Sequence, residues 1–278
     1  MPDYPASREL YAVMGNPIRH SKSPTIHSEF AQQLGIAMEY RAIEVAAGKF
    51  VQAVQEFRAA GGRGLNITVP FKLEAYELAS KKSSRAEIAG AVNTLKFENG
   101  ALFGDNTDGI GLIRDVTANQ KTPLQGQKIL VMGAGGAVRG ILGPLLEEHP
   151  HSVVIANRTV SKAQELEKMF AGHGAVNGCG FDDLRGERYQ VVINGTAASL
   201  QDQVPHLPDS LFEAGALAYD LMYGEKPTAF MVWAQSHGAA RVSDGLGMLV
   251  EQAAESFFIW HGVRPDTASV IEALRKGA

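Results

Sequence analysis

The segment Gly133-Ala134-Gly135-Gly136-Ala137 supplies what a diphosphate needs from a backbone. Without bulky side chains, successive N–H groups can approach the phosphates at the start of a helix, where aligned peptide dipoles also favour negative charge. Ile129–Met132 reads as a short apolar strand before the turn, a helix is expected from Val138 to Glu148, and Ser152–Ala156 reads as a second strand. Together they form one β-α-β unit with a dinucleotide across its first turn. Val138 stands where G-x-G-x-x-G would have its third glycine, so the flanking elements carry this reading more than the glycines do. The second strand runs into Asn157-Arg158-Thr159, with Ser161 and Lys162 close behind. An NAD site places a carboxylate there for the ribose 2′-OH, and a carboxylate would repel a 2′-phosphate. A guanidinium, an ammonium and hydroxyls would hold one, which points to NADP. Thr159 is also expected to cap a helix over Val160–Phe170.

A second set of polar residues falls at predicted strand ends in the N-terminal half: Ser21, Ser23, Asn66, Thr68, Lys72, Asn93 and Asp108. Ligands of open parallel sheets bind outside the carboxyl ends of the strands. Hydroxyls for a carboxylate, and amide plus carboxylate for ring hydroxyls, suit a small polyhydroxylated acid. Each residue also has a plainer reading. Ser21 and Ser23 fit the start of a helix, Lys72 a solvated first turn, Asp108 an N-cap, Asn93 a strand end and Tyr223 the core. Gln252, in an apolar helix, needs a polar partner if buried.

The elements that must position these groups alternate. Strands are expected at Glu9–Met14, Met38–Val45 and Gly64–Val69, with helices at about Pro24–Leu34 and Gly48–Ala60 and a third opened by Pro70 and running to Ala79. Phe50, Val51, Val54 and Phe57 share one side of the second helix. Gly90–Phe97 and Ala101–Gly104 flank Asn99-Gly100, a hairpin signal. A helix over Gly109–Asn119 leaves this first domain. Past the β-α-β unit, Gln190–Asn194 and Leu217–Leu221 are further strands, Thr228–Ser236 is a helix, and Ala240–Val242 an edge strand. A long apolar helix runs from Gly245 to His261, and a last one is capped by Asp266 or Thr267. This order predicts two α/β domains: an N-terminal, mainly parallel αβ sandwich for substrate and a Rossmann domain for NADP.

The 278 residues, 45% hydrophobic and 20% charged, suffice for two modest domains. A net charge of −4 without a basic block argues against nucleic acid or an anionic membrane as partner. Cys179 is the single cysteine, so no internal disulfide and no cysteine metal site is expected, which suits the cytoplasm. The segment Met1–Leu10 lacks the basic-then-apolar order of a signal peptide, and no run approaches the ~20 apolar residues of a membrane span.

Seven segments together resemble the shikimate dehydrogenase family: Asn16–His27, Asn66–Lys72, Gly90–Leu95, Gly104–Gly111, Gly133–Ala137, Asn157–Thr159 and Asp244–Gln252. The resemblance implies NADPH-dependent, reversible reduction of 3-dehydroshikimate to shikimate, without a metal, by a monomer or homodimer. It implies that Ser21 and Ser23 bind the substrate carboxylate, with Tyr223 beside them, and that Thr68, Asn93, Asp108 and Gln252 hold ring hydroxyls. Lys72 would transfer the proton, next to Asp108. On the cofactor side, Gly133–Ala137 would meet the diphosphate and Asn157, Arg158, Thr159 and Lys162 the 2′-phosphate, with Leu221 and Gly245 near the nicotinamide. The implied domains are 1–107 with 245–278 for substrate and 108–244 for NADP. Two positions depart from the family pattern: Lys162, where arginine is common, and Ser199, where a glycine is usual. A quinate/shikimate dehydrogenase paralogue, or a catalytically silent NADP-binding protein on the same fold, are the alternatives. Arg158 with Lys162 argues against an NAD-using paralogue, and Lys72 with Asp108 against a silent one.

Overall fold

The computed structural model describes residues 8–98, 100–196, 198 and 203–277. The chain divides into two compact units, Met1–Thr107 with Val250–Leu274, and Asp108–Leu249 with Arg275–Ala278.

In the first unit the chain runs β1 (Glu9–Gly15), α1 (Ser23–Leu34), β2 (Met38–Glu44), α2 (Phe50–Ala59), β3 (Gly62–Ile67), α3 (Lys72–Leu78), β4 (Lys81–Lys82), α4 (Ser84–Ala89), β5 (Thr94–Glu98) and β6 (Ala101–Asp105). The strands form one sheet in the order β2-β1-β3-β5-β6-β4. Strands β2, β1 and β3 are parallel, whereas β5 runs antiparallel to both β3 and β6. Alternation along β1 covers both faces. Ala12 and Met14 join Phe50, Leu65, Phe71 and Leu95 in one apolar cluster, while Tyr11 and Val13 join Tyr40 and Trp260 in another. Gly64 admits the Trp260 indole, whose Nε1 lies 2.4 Å from where a Cβ would stand, and Nε1 donates to the Leu95 carbonyl at 3.0 Å.

Three details depart from the expected pattern. Val51 is exposed, so the buried face of α2 is Phe50, Val54 and Phe57. Pro70 lies in the turn after β3, and α3 begins at Lys72 rather than at Pro70. Strand β4 and helix α4 were not expected; the Ser83 hydroxyl caps α4 by accepting from Ala86 N at 3.2 Å.

The second unit opens with α5 (Asp108–Arg114), which passes into one π-helical turn over Asp115–Asn119. Then come β7 (Lys128–Met132), α6 (Gly136–Glu147), β8 (Ser152–Ala156), α7 (Val160–Phe170), β9 (Val176–Cys179), a 3₁₀ turn over Phe181–Leu184, β10 (Tyr189–Asn194), β11 (Phe212–Asp220), α8 (Ala229–Ser236) and β12 (Arg241–Ser243). The sheet is wholly parallel in the order β12-β11-β10-β7-β8-β9. Strand order therefore reverses between β7 and β10, which makes this a doubly wound Rossmann sheet with its ligand crevice at those carboxyl ends. Ile129, Leu130, Val131, Val191, Val192 and Ile193 are all fully buried, as strands covered on both faces must be.

Helix α9 (Leu246–His261) begins in the second unit, belongs to the first from Val250 onward, and is followed by α10 (Ala268–Lys276). Its start is held by close backbone approach. A Cβ on Gly245 would lie 2.2 Å from the Leu221 carbonyl oxygen, and one on Gly247 would lie 2.1 Å from the Asp115 carboxylate. Arg275 pairs with Asp244 at 2.8 Å. The expected cap of α10 is Asp266, whose carboxylate accepts from Ala268 N at 3.2 Å; the Thr267 hydroxyl instead donates to Glu251 at 2.7 Å.

Candidate active site

In the second unit, a cleft of about 760 Å³ opens at the carboxyl ends of β7, β8 and β10. Gly133, Ala134 and Gly135 line one side and Asn157 and Arg158 another. Gly133 adopts φ +102°, and a Cβ there would lie 2.9 Å from the Gly195 carbonyl oxygen, so both conformation and space require glycine. Gly135 and Gly136 have open space where their Cβ atoms would be. Helix α6 begins at Gly136, directly after the lining residues Gly133, Ala134 and Gly135, and the N–H groups of its first turn have no partner within the helix. A diphosphate fits this cradle. Ala137 follows on the exposed first turn of α6.

The segment expected to meet the 2′-phosphate differs from expectation in one respect. Thr159 precedes α7, but its side chain makes no cap hydrogen bond; its carbonyl accepts instead from Asn157 Nδ2 at 2.9 Å. Arg158 lines the cleft and is exposed, and Thr159 and Lys162, close behind it in sequence, are exposed as well. Phe181, Asp182, Val204, Pro205 and His206 also line the cleft and were not foreseen. They come from the 3₁₀ turn after β9 and from the segment after β10, far apart in sequence, and only the fold brings them to one cleft. Ser199, one of the two departures noted above, lies outside the described residues, as do Ala197 and Leu200. Leu221 and Gly245 meet backbone to backbone; Leu221 N donates to Asn194 O at 2.9 Å and Gly245 N to Met222 O at 3.0 Å. Tyr223 lies in the loop after β11, and burial pushes its phenol pKa upward. Asp108, the first residue of α5, is buried.

In the first unit, Ser21 and Ser23 share one turn at the head of α1, where the Ser21 hydroxyl accepts from Ser23 N at 3.3 Å. Thr68 and Lys72 follow β3. Thr68 N donates to Met14 O, and the Thr68 methyl occupies the space that Gly15 leaves open. Lys72 is half-buried, with its carbonyl accepting from Val92 N at 3.0 Å, which joins it to the segment carrying Asn93.

Asn93 and Gln252 are drawn into one polar network. Asn93 Oδ1 accepts from Thr107 N at 2.9 Å, and Asn93 Nδ2 donates to Thr107 Oγ1 at 3.0 Å and to Gln252 Oε1 at 3.4 Å. Thr107 Oγ1 also reaches Gln252 Oε1 at 3.3 Å. Thr94, Ser256 and Asn66 extend the network inward, with Ser256 Oγ 2.8 Å from Thr94 Oγ1 and accepting from Asn66 Nδ2 at 2.9 Å. Sequence reading missed Thr94, Thr107 and Ser256. Ser256 lies four residues after Gln252 on α9, so helical spacing contained the signal. Asn66, placed among the ligand-facing residues by sequence, lies within the core network instead.

Asn66 Oδ1 accepts from Tyr40 OH at 2.8 Å and pairs with His27 Nε2 at 3.1 Å. His27 is fully buried and stacked on Tyr40, with ring centroids 4.3 Å apart. Burial pushes its pKa down to about 3, against the opposing hydrogen bond to Asn66. The folded chain therefore keeps His27 neutral where the unfolded chain, with an ordinary histidine pKa, takes up a proton. Stability is fully present above about pH 6.5 and falls by about 1.4 kcal/mol per pH unit below it, or about 2 kcal/mol between pH 7 and pH 5. Urea unfolding at those two pH values checks this. His27→Gln keeps an N–H donor for Asn66 and does not titrate, so it is expected to lose about 2 kcal/mol less than wild type over the same interval. Equal losses in the two proteins would remove His27 as the source.

Among the described residues, no group of three or more His, Cys, Asp or Glu side chains is placed to hold a metal ion, and no helix is long and apolar enough to cross a membrane. Cys179 lies at the end of β9, where burial first, then Asp183 and Glu167, push its thiol up to about 11.

Comparison with known proteins bears on the whole chain. Residues 13–95 match the family described as shikimate dehydrogenase substrate binding domain, residues 116–202 the one described as shikimate / quinate 5-dehydrogenase, and residues 245–275 the one described as shikimate 5′-dehydrogenase C-terminal domain. A protein of Alkalilimnicola ehrlichii named shikimate dehydrogenase (NADP(+)) is 58% identical over 96% of this chain and 98% of its own. One of the same name from Hahella chejuensis is 54% identical over 97% and 99%. Among solved structures, an Ael1 enzyme from Pseudomonas putida is similar with a TM-score of 0.90 and 47% identity, over 96% of this chain and 98% of that one. A shikimate 5-dehydrogenase from Thermus thermophilus, in complex with NADP(H) and shikimate, has a TM-score of 0.86 and 33% identity, over 97% of this chain and 100% of that one.

Proposed function

From the premise that this chain belongs to the shikimate dehydrogenase family, we propose that it catalyses the reversible, NADPH-dependent reduction of 3-dehydroshikimate to shikimate. The observation that carries the cofactor half is the cleft of the second unit, with its glycine cradle at the start of α6 and Arg158 on its wall. The cofactor, when bound, supplies or accepts hydride. The residues of this chain do the rest. The first-turn N–H groups of α6 neutralise the diphosphate. Asn157, Arg158, Thr159 and Lys162 hold the 2′-phosphate, Arg158 by charge-assisted hydrogen bonds and Lys162 as a point charge. Leu221 and Gly245 border the nicotinamide, Gly245 because a side chain there has no room beside the Leu221 carbonyl.

On the substrate side, Ser21, Ser23 and Tyr223 bind the carboxylate through hydroxyl donors, and Thr68, Asn93, Asp108 and Gln252 hold ring hydroxyls. Lys72 moves the proton: hydride leaves a secondary alcohol carbon only as the hydroxyl proton leaves, so oxidation needs a base there and reduction a donor. The protein is read as a monomer or homodimer of the cytoplasm, with no nucleic acid or membrane as partner.

Initial rates with shikimate and with quinate, each with NADP and with NAD, followed by absorbance of the reduced nicotinamide, test this. Turnover confined to shikimate with NADP is the expected outcome. Comparable turnover of quinate, or comparable use of NAD, would move the chain to the broader paralogue activity. No turnover with any pair would overturn the assignment.

A further inference from the structure

Resting on the reading above that sets Leu221 and Gly245 beside the nicotinamide, we propose that Asp220 and Thr228 are positioning residues for hydride transfer. Their hydrogen bond closes the loop between β11 and α8 and so fixes Leu221, the side chain that borders the reacting ring.

Asn194 and Asp220 are register partners at the carboxyl ends of β10 and β11, and both are fully buried. Each folds its side chain over the turn that follows it. Asn194 Oδ1 accepts from Thr196 N at 3.1 Å and from Thr196 Oγ1 at 2.8 Å. Asp220 Oδ1 accepts from Met222 N at 3.0 Å, the equivalent bond to the second residue on. The two turns differ in their hydroxyl partner. Asn194 takes it from within its own turn, whereas Asp220 Oδ2 reaches eight residues along the chain and accepts from Thr228 Oγ1 at 2.7 Å. A carboxylate suits this double task, since both of its oxygens accept.

The bond to Thr228 ties down a loop whose middle, Gly224 to Pro227, is exposed. Thr228 is itself anchored, because its hydroxyl caps α8 by accepting from Met231 N at 3.2 Å. Met231 N–H can only donate, so the single proton of that hydroxyl is left for Asp220. Leu221 lies between the two residues of the Asp220 turn. Its N–H donates to the Asn194 carbonyl at 2.9 Å, and the Met222 carbonyl accepts from Gly245 N at 3.0 Å. Its side chain reaches the cofactor cleft: Leu221 Cδ1 lies 3.2 Å from where a Cβ on Gly195 would stand, and Gly195 lines that cleft. Most of this frame is backbone, and the Asp220–Thr228 bond is the part that side chains alone supply. Loosening Leu221 would let the reacting ring sample unproductive poses, which slows the reaction without weakening the grip on the phosphates.

Thr228 is half-buried and Asp220 fully buried, so Thr228 carries the variants that test this. Thr228→Val removes the proton given to Asp220 and the cap of α8 together. Thr228→Asp keeps a cap acceptor but, as a carboxylate, has no proton for Asp220, and Thr228→Ser keeps both functions. Two quantities are measured on the full chain: the single-turnover rate of hydride transfer from shikimate to NADP, and calorimetric binding of 2′-phospho-ADP-ribose, the cofactor fragment without its nicotinamide. Thr228→Val and Thr228→Asp are each expected to slow hydride transfer by about ten- to a hundredfold while fragment affinity stays within about twofold of wild type. Thr228→Ser is expected to keep the rate within about threefold of wild type. A wild-type rate in Thr228→Val overturns the inference. A wild-type rate in Thr228→Asp overturns it too, since the α8 cap would then suffice. A Thr228→Ser enzyme as slow as Thr228→Val, or a loss of fragment affinity that matches the loss of rate, would mark a packing role and overturn it likewise. A wild-type chain that binds the fragment yet turns over no shikimate overturns the proposed reaction, and this inference with it.

Discussion

Replacing Lys72 by alanine is expected to lower kcat for shikimate oxidation by about 10²- to 10⁴-fold while KM for shikimate stays within about threefold. The argument starts from the reaction. A secondary alcohol gives up hydride only as its hydroxyl proton departs, and the carbonyl formed in one direction must be protonated in the other. A group that only positioned the substrate would act on ground state and transition state alike, and its loss would appear in KM. A group that takes the proton acts where charge develops, and its loss appears in kcat. The reading of Lys72 in that role under the proposed function rests on its position in the first unit. Lys72 opens α3 directly after the β3 turn that carries Thr68, and its backbone is tied through Val92 to the segment holding Asn93. Single-turnover measurement of hydride transfer, with and without Lys72, checks the assignment. A Lys72→Ala enzyme that loses shikimate affinity yet keeps its turnover rate would make Lys72 a binding residue, and the proton would need another carrier.

What the sequence revealed and what it concealed have physical causes. Helix α7 and strand β8 were placed to the residue because Ser152–Ala156 is a short apolar run ended by polar groups and Val160–Phe170 keeps one apolar face. The glycine turn was legible because few other demands place several small residues between a strand and a helix. Strand β9 was not legible. Val176-Asn177-Gly178-Cys179 lacks alternation, and Gly178 is glycine because the α7 backbone at Ala163 lies 2.5 Å from where its Cβ would be. Strand β4, two lysines long, exists only because β6 offers it a partner. Strand β11 runs for nine residues where five were expected, since its first half, from Phe212, pairs at the register of Tyr189 beyond an irregularity.

The candidate site divides in the same way. A residue whose chemical type is costly at its position, such as Gln252 in an apolar helix, could be picked out from the chain. Thr94, Thr107 and Ser256 could not, because a hydroxyl is ordinary at any strand or helix position and becomes informative only when its single proton must be assigned. Phe181 and His206 were hidden for a related reason: they are separated by a strand and a loop, and line one cleft only after β10 is in place.

The second large effect expected concerns cofactor choice. Arg158→Ala with Lys162→Ala is expected to lower kcat/KM for NADP by about 10²- to 10³-fold and to leave kcat/KM for NAD within about threefold. A charge-assisted hydrogen bond to phosphate contributes about 1.5–3 kcal/mol, which is about ten- to a hundredfold for each cation, and exposure of both side chains argues for the lower part of that range. The single variants separate the contributions. Arg158 lines the cleft and presents a planar fork that matches a phosphate, so it is expected to account for most of the loss, whereas Lys162, a flexible point charge one turn into α7, is expected to contribute less. The same geometry predicts a salt dependence: KM for NADP should rise with ionic strength in wild type and be nearly flat in the double variant, because the interaction removed is the screened one. If the double variant lost NAD and NADP efficiency alike, the two cations would be supporting the wall of the cleft rather than reading the 2′-phosphate. The preference for NADP would then have to arise elsewhere in the lining of the cleft, which includes Asp182 and His206, and charge substitutions there would be the ones to shift it.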